Sequence, residues 1–337
     1  MKKYRVAVVG ATGMVGQEFI KMLQQRNFPL SSIQLLASDR SVGKKMFVGH
    51  KDFIVRETNA DAFRYVDLTL FSAGPEVSRY FAPIAVRAGS IVIDHSAAFR
   101  MDTTVPLVVP EINPDDIRNH KGIIANPDSP TTQLVVALYP LHRVNPIKRI
   151  VVTTFQSVSS TGTPGMEELT LQTKLVLEGH AVVPHVYSHQ IAYNILPEID
   201  VFMDDGYNKE EWRIAEETRK ILRSEQIGIS ATCVRVPVFM GHSEAVNVEF
   251  TYPIGPEEAR QILAQAPGVK VLDDPSVSLY PQPWTAAGLD DVLVGRIRKD
   301  PSHPNGLAMW IVADNLRKGA ALNAIQIAEE AIRRGVL

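Results

Sequence analysis

Gly10, Gly13 and Gly16 stand in a G-x-x-G-x-x-G spacing directly after the apolar run Tyr4–Val9. A glycine turn at the end of a strand lets backbone approach a pyrophosphate, and a helix opening there meets the phosphate charge with its first N–H groups. Gly10 suits the tight turn, Gly13 the close approach, and Gly16 the packing of helix on strand. Thr12, Met14 and Val15 fall in the same loop and first helical turn, and are read with it as cofactor contacts. Glycines also punctuate ordinary turns; the placement between strand and helix is what favours a dinucleotide.

A second group of candidates follows the next apolar run. Ala37-Ser38-Asp39-Arg40-Ser41 is succeeded by Lys44 and Lys45. A guanidinium flanked by hydroxyls suits the 2′-phosphate of NADP, so Ser38, Arg40 and Ser41 are assigned to it. Asp39 alone would suit the ribose of NAD, and a solvated loop of mixed charge is the remaining alternative. Further along, Arg100 and Arg235 offer forks for carboxylate or phosphate, and His242 can move protons near neutral pH. Taken singly, such residues are more often ion pairs or turn residues.

Asp128-Ser129-Pro130-Thr131 admits two readings. Ser129 can be a nucleophile, which needs an adjacent base because a hydroxyl resists ionisation; His242 is the candidate. It can equally be a helix N-cap whose oxygen accepts from the amide of Thr131 or Thr132, with Pro130 at the first helical position. The single cysteine, Cys233, excludes a disulfide within the chain and a cysteine-based zinc site, and no metal is expected.

These residues need elements to hold them. Tyr4–Val9, Ile33–Ala37, Leu68–Ser72, Ser90–Asp94 and Ile123–Ala125 are short apolar runs bounded by Gly, Asp, Asn or Ser, with helical stretches between some of them. That alternation predicts a Rossmann-type parallel sheet with covering helices. After residue 127 the texture changes. Arg149–Phe155, Ala231–Val238 and Ala245–Tyr252 read as strands of a mixed or antiparallel sheet, with helices over Gly165–Glu178 and Lys209–Ser224. Asn315–Arg334 closes the chain as a helix whose stripe Ala321, Ile325, Ala328 and Ile332 can pack back on the first domain. The fold class is α/β: residues 1–127 with 316–337 as an NADP-binding domain, and 128–315 as an α+β substrate and dimerisation domain.

The 337 residues are too many for one core, and 21% charged against 45% hydrophobic residues is a globular composition. A net charge of −2 without long runs of one sign argues against nucleic acid and acidic membrane as partners. The amino terminus leads straight into a strand, leaving no room for a signal peptide, so the expected location is cytoplasmic.

Several stretches taken together are similar to the aspartate-semialdehyde dehydrogenase family. They are Ala7–Gly13, Ala37–Lys44, Phe71-Ser72-Ala73-Gly74, Ala98–Asp102, Val109-Pro110-Glu111, Cys233–Pro237, Gly241-His242-Ser243-Glu244 and Asp314-Asn315-Leu316. The resemblance runs from residue 4 to about 330. It implies an NADP-dependent oxidoreductase of amino-acid biosynthesis that handles β-aspartyl phosphate and its semialdehyde through a cysteine thioester, as a homodimer or homotetramer. It further implies roles for particular positions. Arg100 resembles the phosphate-binding arginine, with Asp128 and Arg213 beside it. Gln156 resembles the residue orienting the acyl group, and His242 the general acid/base. Glu210 resembles the receiver of the substrate amino group, and Arg235 the partner of its carboxylate. Ser72, Ala73, Gly74, Ser159, Gly162 and Asn315 fall to the cofactor.

The pattern breaks at the nucleophile. Where the family reads approximately Asn-Pro-Asn-Cys-Ser-Thr, this chain reads Asn126-Pro127-Asp128-Ser129-Pro130-Thr131. It resembles a cysteine-less, Usg-like member in this respect. His95 stands for a usual asparagine, Arg213 for a lysine, and Ser160 and Thr161 for small residues. Three alternatives follow: an enzyme working without the cysteine, a catalytically silent paralogue that binds NADP or an amino acid in a structural or regulatory role, and an enzyme recruiting Cys233.

Overall fold

The computed structural model describes residues 2–49 and 51–337. The strands in chain order are β1 (Tyr4–Val9), β2 (Leu30–Ala37), β3 (Lys45–Val48), β4 (Lys51–Ile54), β5 (Arg56–Glu57), β6 (Leu68–Phe71), β7 (Ile91–Asp94) and β8 (Ile123–Ala125). They are followed by β9 (Ile147–Gln156), β10 (Gly228–Arg235), β11 (His242–Phe250), β12 (Val269–Val271), β13 (Val292–Lys299) and β14 (Gly306–Ala313). The helices used below are α1 (Met14–Gln25), α2 (Pro75–Arg87), α3 (Ser129–Val144), α4 (Thr163–Leu177) and α5 (Lys209–Leu222). A closing helix spans Leu322–Arg333.

The chain forms two compact units. One runs from the amino terminus through Asp128 and is completed by Ala320–Leu337; the other is Ser129–Gly319.

The first unit holds a parallel sheet in the order β5-β2-β1-β6-β7-β8. Five of its strands are the apolar runs read from the sequence; the edge strand β5 and the antiparallel pair β3–β4 are not, because their residues are mostly exposed and lysine-flanked, with no apolar run beyond Met46-Phe47-Val48. The sheet buries Tyr4, Val6 and Val8 of β1 against Phe19, Met22 and Leu23 of α1 and against Ala321, Leu322, Ile325 and Ala328 at the closing helix. Burying each large apolar side chain contributes on the order of 2 kcal/mol. Periodic apolar residues therefore fix both helices onto one face of the sheet. Val15 and Ile332, the outer members of the two stripes, are only partly buried there.

The second unit carries a mixed sheet, β10-β9-β11-β14-β13-β12. β9 runs parallel to β10 and antiparallel to β11, which places the ends of β9 and β10 beside the start of β11. The pair β13–β14 is antiparallel and supplies half of the sheet's centre. It escapes sequence reading because Gly306–Ala313 is apolar at nearly every position, a run that helix and buried strand share.

Candidate functional site

The glycine loop of the first unit has the geometry its spacing implies. Gly10 lies at φ +84°, and a Cβ on it would stand 2.9 Å from the carbonyl of Ser72. A Cβ on Gly16 would meet the carbonyl oxygen of Gly10 at 2.1 Å. Gly13 caps α1 in an extended conformation; no side chain caps the helix and its first turn has no acid. The positive end of the helix dipole is therefore open to an anion. Gly74, at φ +90°, precedes α2 in the same way, with Pro75 at its start.

Gly10, Thr12, Gly13, Ala37, Ser38, Asp39, Arg40, Ser72 and Ala73 line one cleft of about 580 Å³. Thr12 and Ser41 join across it, hydroxyl to hydroxyl, at 3.4 Å. Glycine approach, an open helix end and an exposed arginine fit a dinucleotide. Glu57 and Thr58, at and just after the edge strand β5, also border this cleft and were missed by sequence reading. Nothing in an isolated Arg-Glu-Thr marks an edge strand, and only its pairing with Leu36 and Ala37 brings it there.

Arg100, also in the first unit, is buried and engaged through each of its three nitrogens. Its Nε donates to the Asn126 carbonyl at 3.1 Å, its Nη2 to the His95 carbonyl at 2.6 Å, and its Nη1 pairs with the Asp128 carboxylate at 2.8 Å. The His95 ring lies 2.8 Å from the Asn126 amide nitrogen, which donates to its Nδ1. Asn126 in turn accepts from Asn323 at 2.7 Å. Burial, with Arg100 adding to it, pushes His95 down to about 3, so its ring is neutral.

In the second unit the candidate side chains gather where β9 and β10 end and β11 begins. Arg235 is the register partner of Gln156. Gln156 donates to Glu210 at 3.0 Å, and Glu210 pairs with Arg213 at 3.0 Å. Glu210 is presented by the start of α5, which Asn208 and Glu211 close with a reciprocal capping box. Asp200 pairs with the other arm of Arg213. Arg235 donates through Nη1 to the Ser157 carbonyl at 2.8 Å and to the Ser160 hydroxyl.

His242 is fully buried. Its Nδ1 accepts from the Ser157 amide at 3.1 Å, which assigns the ring proton to Nε2. Around it runs a polar network that the sequence did not suggest in this form. Asn315 accepts through Oδ1 from the Gly241 amide at 3.0 Å and from the hydroxyls of Ser157 and Ser159. The carbonyl of Asn315 accepts from the Ser129 hydroxyl at 3.0 Å.

Ser129 opens α3, and its hydroxyl donates its proton to the Asn315 carbonyl, which leaves the oxygen's lone pairs available to the first-turn amides. Asn315 and Ser159, assigned to the cofactor by resemblance, are buried members of this same network, while Gly162, at φ +81°, opens α4. Cys233 is fully buried within β10, its amide donating to Glu211 at 2.9 Å, a packing position under α5.

Glu244, two residues beyond His242 on the same face of β11, is fully buried. Neither carboxyl oxygen has a hydrogen-bond partner, and both polar atoms of the neighbouring Gln133 on α3 are equally without one. Burial raises the Glu244 carboxyl well above its ordinary value; Gln133 is the one group pulling the other way, without reaching hydrogen-bond geometry. Glu244 stands in the Gly-His-Ser-Glu stretch, where alternation would have shown it sharing a face with His242.

Residues 5–120 match the family described as "Semialdehyde dehydrogenase, NAD binding domain", and residues 138–318 match "Semialdehyde dehydrogenase, dimerisation domain". The chain is 52% identical over 338 residues to the aspartate-semialdehyde dehydrogenase of Aquifex aeolicus (strain VF5), covering 99% of each. It is similar to the crystal structure of aspartate semialdehyde dehydrogenase II complexed with ASA from Vibrio cholerae, with a TM-score of 0.95, 46% identity and 99% of each chain covered. The Candida albicans enzyme solved with NADP gives a TM-score of 0.77 at 26% identity, over 100% of both chains. No helix among the described residues is long and apolar enough to cross a membrane.

Proposed function

The chain belongs to the aspartate-semialdehyde dehydrogenase family, and on that premise we propose that it is an NADP-dependent oxidoreductase acting on an aspartate-type amino-acid aldehyde, with Ser129 where the family keeps its cysteine. The observation that carries this reading is the polar cluster of buried Gln156, Glu210, Arg235 and His242 with half-buried Arg213. An amino-acid substrate needs an acid for its ammonium, an arginine for its carboxylate and a proton donor at its reacting oxygen. Glu210, Arg235 and His242 are those groups, and Gln156 orients the carbonyl. When bound, a nicotinamide dinucleotide would supply hydride to the aldehyde carbon, the His242 Nε2 proton going to the oxygen to give an alcohol, or would take up hydride from the aldehyde's hydrate, the added water leaving the carboxylic acid. The first unit would hold it, with Gly10, Gly13 and the start of α1 toward the pyrophosphate and Arg40, Ser38 and Ser41 toward the 2′-phosphate.

The roles of Ser129 and His242 follow from their hydrogen bonds. Ser129 gives its proton to a carbonyl, not to a base. His242 keeps its lone pair on Nδ1 against the Ser157 amide, so Nε2–H donates a proton and does not accept one. A seryl ester is therefore disfavoured, and the carbonyl reacts without a covalent bond to the chain. The same hydrogen bond also favours a second reading, a paralogue that binds without turning over.

The second unit supports a homodimer. One face of its sheet leaves Thr153, Phe155, Ala245 and Trp310 half-buried, with the Phe155 and Trp310 rings 5.5 Å apart.

Assay of the purified protein with aspartate semialdehyde and NADP(H) tests the reading. Turnover is expected to survive Ser129→Ala and Cys233→Ala, and to lose about tenfold or more in kcat/KM in Arg235→Met. Arg40→Ala is expected to cost NADPH about tenfold in affinity while leaving NADH unchanged. Loss of turnover in Ser129→Ala would instead establish a seryl intermediate. NADPH binding without turnover would leave the silent paralogue.

A further inference from the structure

This inference rests on the reading of Arg100 as the phosphate-side arginine and carries it to the class of substrate. A guanidinium offers its donors through three nitrogens. In Arg100 each of the three already faces an acceptor from the chain: the carbonyls of Asn126 and His95, and the carboxylate of Asp128. The Arg100 side chain is 5% exposed and that of Asp128 19%, so the pair is largely withdrawn from water. His95 is neutral and accepts from Asn126, so it brings no further positive charge to the cluster.

Two of these residues, His95 and Asp128, are positions where the chain departs from the family's asparagines. The change at Asp128 acts on the guanidinium directly, through its carboxylate, while His95 meets Arg100 through its backbone carbonyl. A phosphate entering here would have to displace the Asp128 carboxylate or lie beside it, like charge against like charge.

We propose that Asp128 is a built-in anion filling the phosphate side of Arg100, so that this chain's substrate carries an uncharged group, an aldehyde, where an acyl phosphate would carry its phosphate. The chain is then a binder of the aldehyde and not of the phosphorylated acid.

Titration of the full chain with inorganic phosphate, followed by calorimetry or phosphorus NMR line width, tests this. Asp128→Asn retains a side-chain oxygen for Nη1 and is expected to fold, as a thermal melt will check. It should bind phosphate at least about tenfold more tightly than the wild type. Arg100→Lys placed on Asp128→Asn should lose most of that gain, which separates Arg100 from any phosphate held at the glycine loop. The inference is overturned if Asp128→Asn gains nothing, or if the wild type already binds phosphate and loses it on Arg100→Lys. The titration needs neither cofactor nor turnover. An inactive protein whose Asp128→Asn variant gains phosphate would sink the proposed function and leave this inference intact; phosphate binding by an active wild type through Arg100 would do the reverse.

Discussion

Replacing Gly16 by alanine is expected to cost the first unit several kcal/mol and to weaken NADPH binding by more than about tenfold. The added methyl would stand 2.1 Å from the Gly10 carbonyl oxygen and 2.8 Å from both the Ala11 Cα and the Gly10 carbonyl carbon. All three are backbone atoms, so no side chain can swing aside. Either α1 lifts off the turn or the turn moves, and each outcome disturbs the N–H groups meant for the pyrophosphate. The clash also breaks contact between α1 and β1, whose packing through Phe19, Met22 and Leu23 is part of the unit's main core. Net stability of a domain is on the order of 10 kcal/mol, so the loss is a large share of it.

Gly43 is the proper control. Unlike the helical Gly16 it has a positive φ, +84°, and a Cβ there meets nothing within 4 Å. Gly43→Ala should cost about 1 kcal/mol, from backbone strain alone. Thermal melts with NADPH fluorescence titrations on both variants decide the matter. A Gly16→Ala protein binding NADPH within about twofold of the wild type would contradict the assigned loop.

Substituting Glu244 by glutamine should stabilise the protein increasingly as pH rises. The folded carboxyl is raised above its unfolded value by burial. Below the unfolded value, about 4.3, both states hold the proton and the wild type has its full stability. Above it, the unfolded chain releases the proton while the folded chain keeps it, and stability falls by about 1.4 kcal/mol per pH unit until the folded carboxyl itself ionises. Glutamine has no proton to lose, so Glu244→Gln removes this slope and keeps nearly the same shape. The difference in urea midpoint between variant and wild type should therefore widen as pH rises above about 5. A difference independent of pH would mean that Glu244 is solvated or ionised in the folded state. Glu244→Ala is a poorer probe, since it adds a cavity to the change in charge.

Much of the fold was legible because it is written in local periodicity. β1 and β8 match the apolar runs residue for residue, and the helices α4 and α5 differ from the sequence reading by only one or two residues at either end. The parallel order of the first sheet follows from strand–helix alternation. Elements without such a signature were invisible: β5 is two exposed residues, and β14 is apolar on both faces because the sheet surrounds it.

For the site, the sequence by itself determined which chemical groups are available. It established that a hydroxyl stands at Ser129 and an acid at Asp128, and that the glycine loop follows a strand. Only the tertiary structure decided how those groups are used. Ser129 looked like either a cap or a nucleophile, and the carbonyl of Asn315, far along the chain, takes its hydroxyl proton. By resemblance Asp128 stood beside both Arg100 and Arg213; its partner is Arg100, while Arg213 serves Glu210 and Asp200. His242 looked like a base, and the Ser157 amide pins the lone pair it would need. The physical reason is common to all three. A side chain's protonation and reactivity depend on which donor or acceptor faces it at about 3 Å, and in each case that partner is brought by another element of the fold, a distance in sequence over which no local pattern carries information.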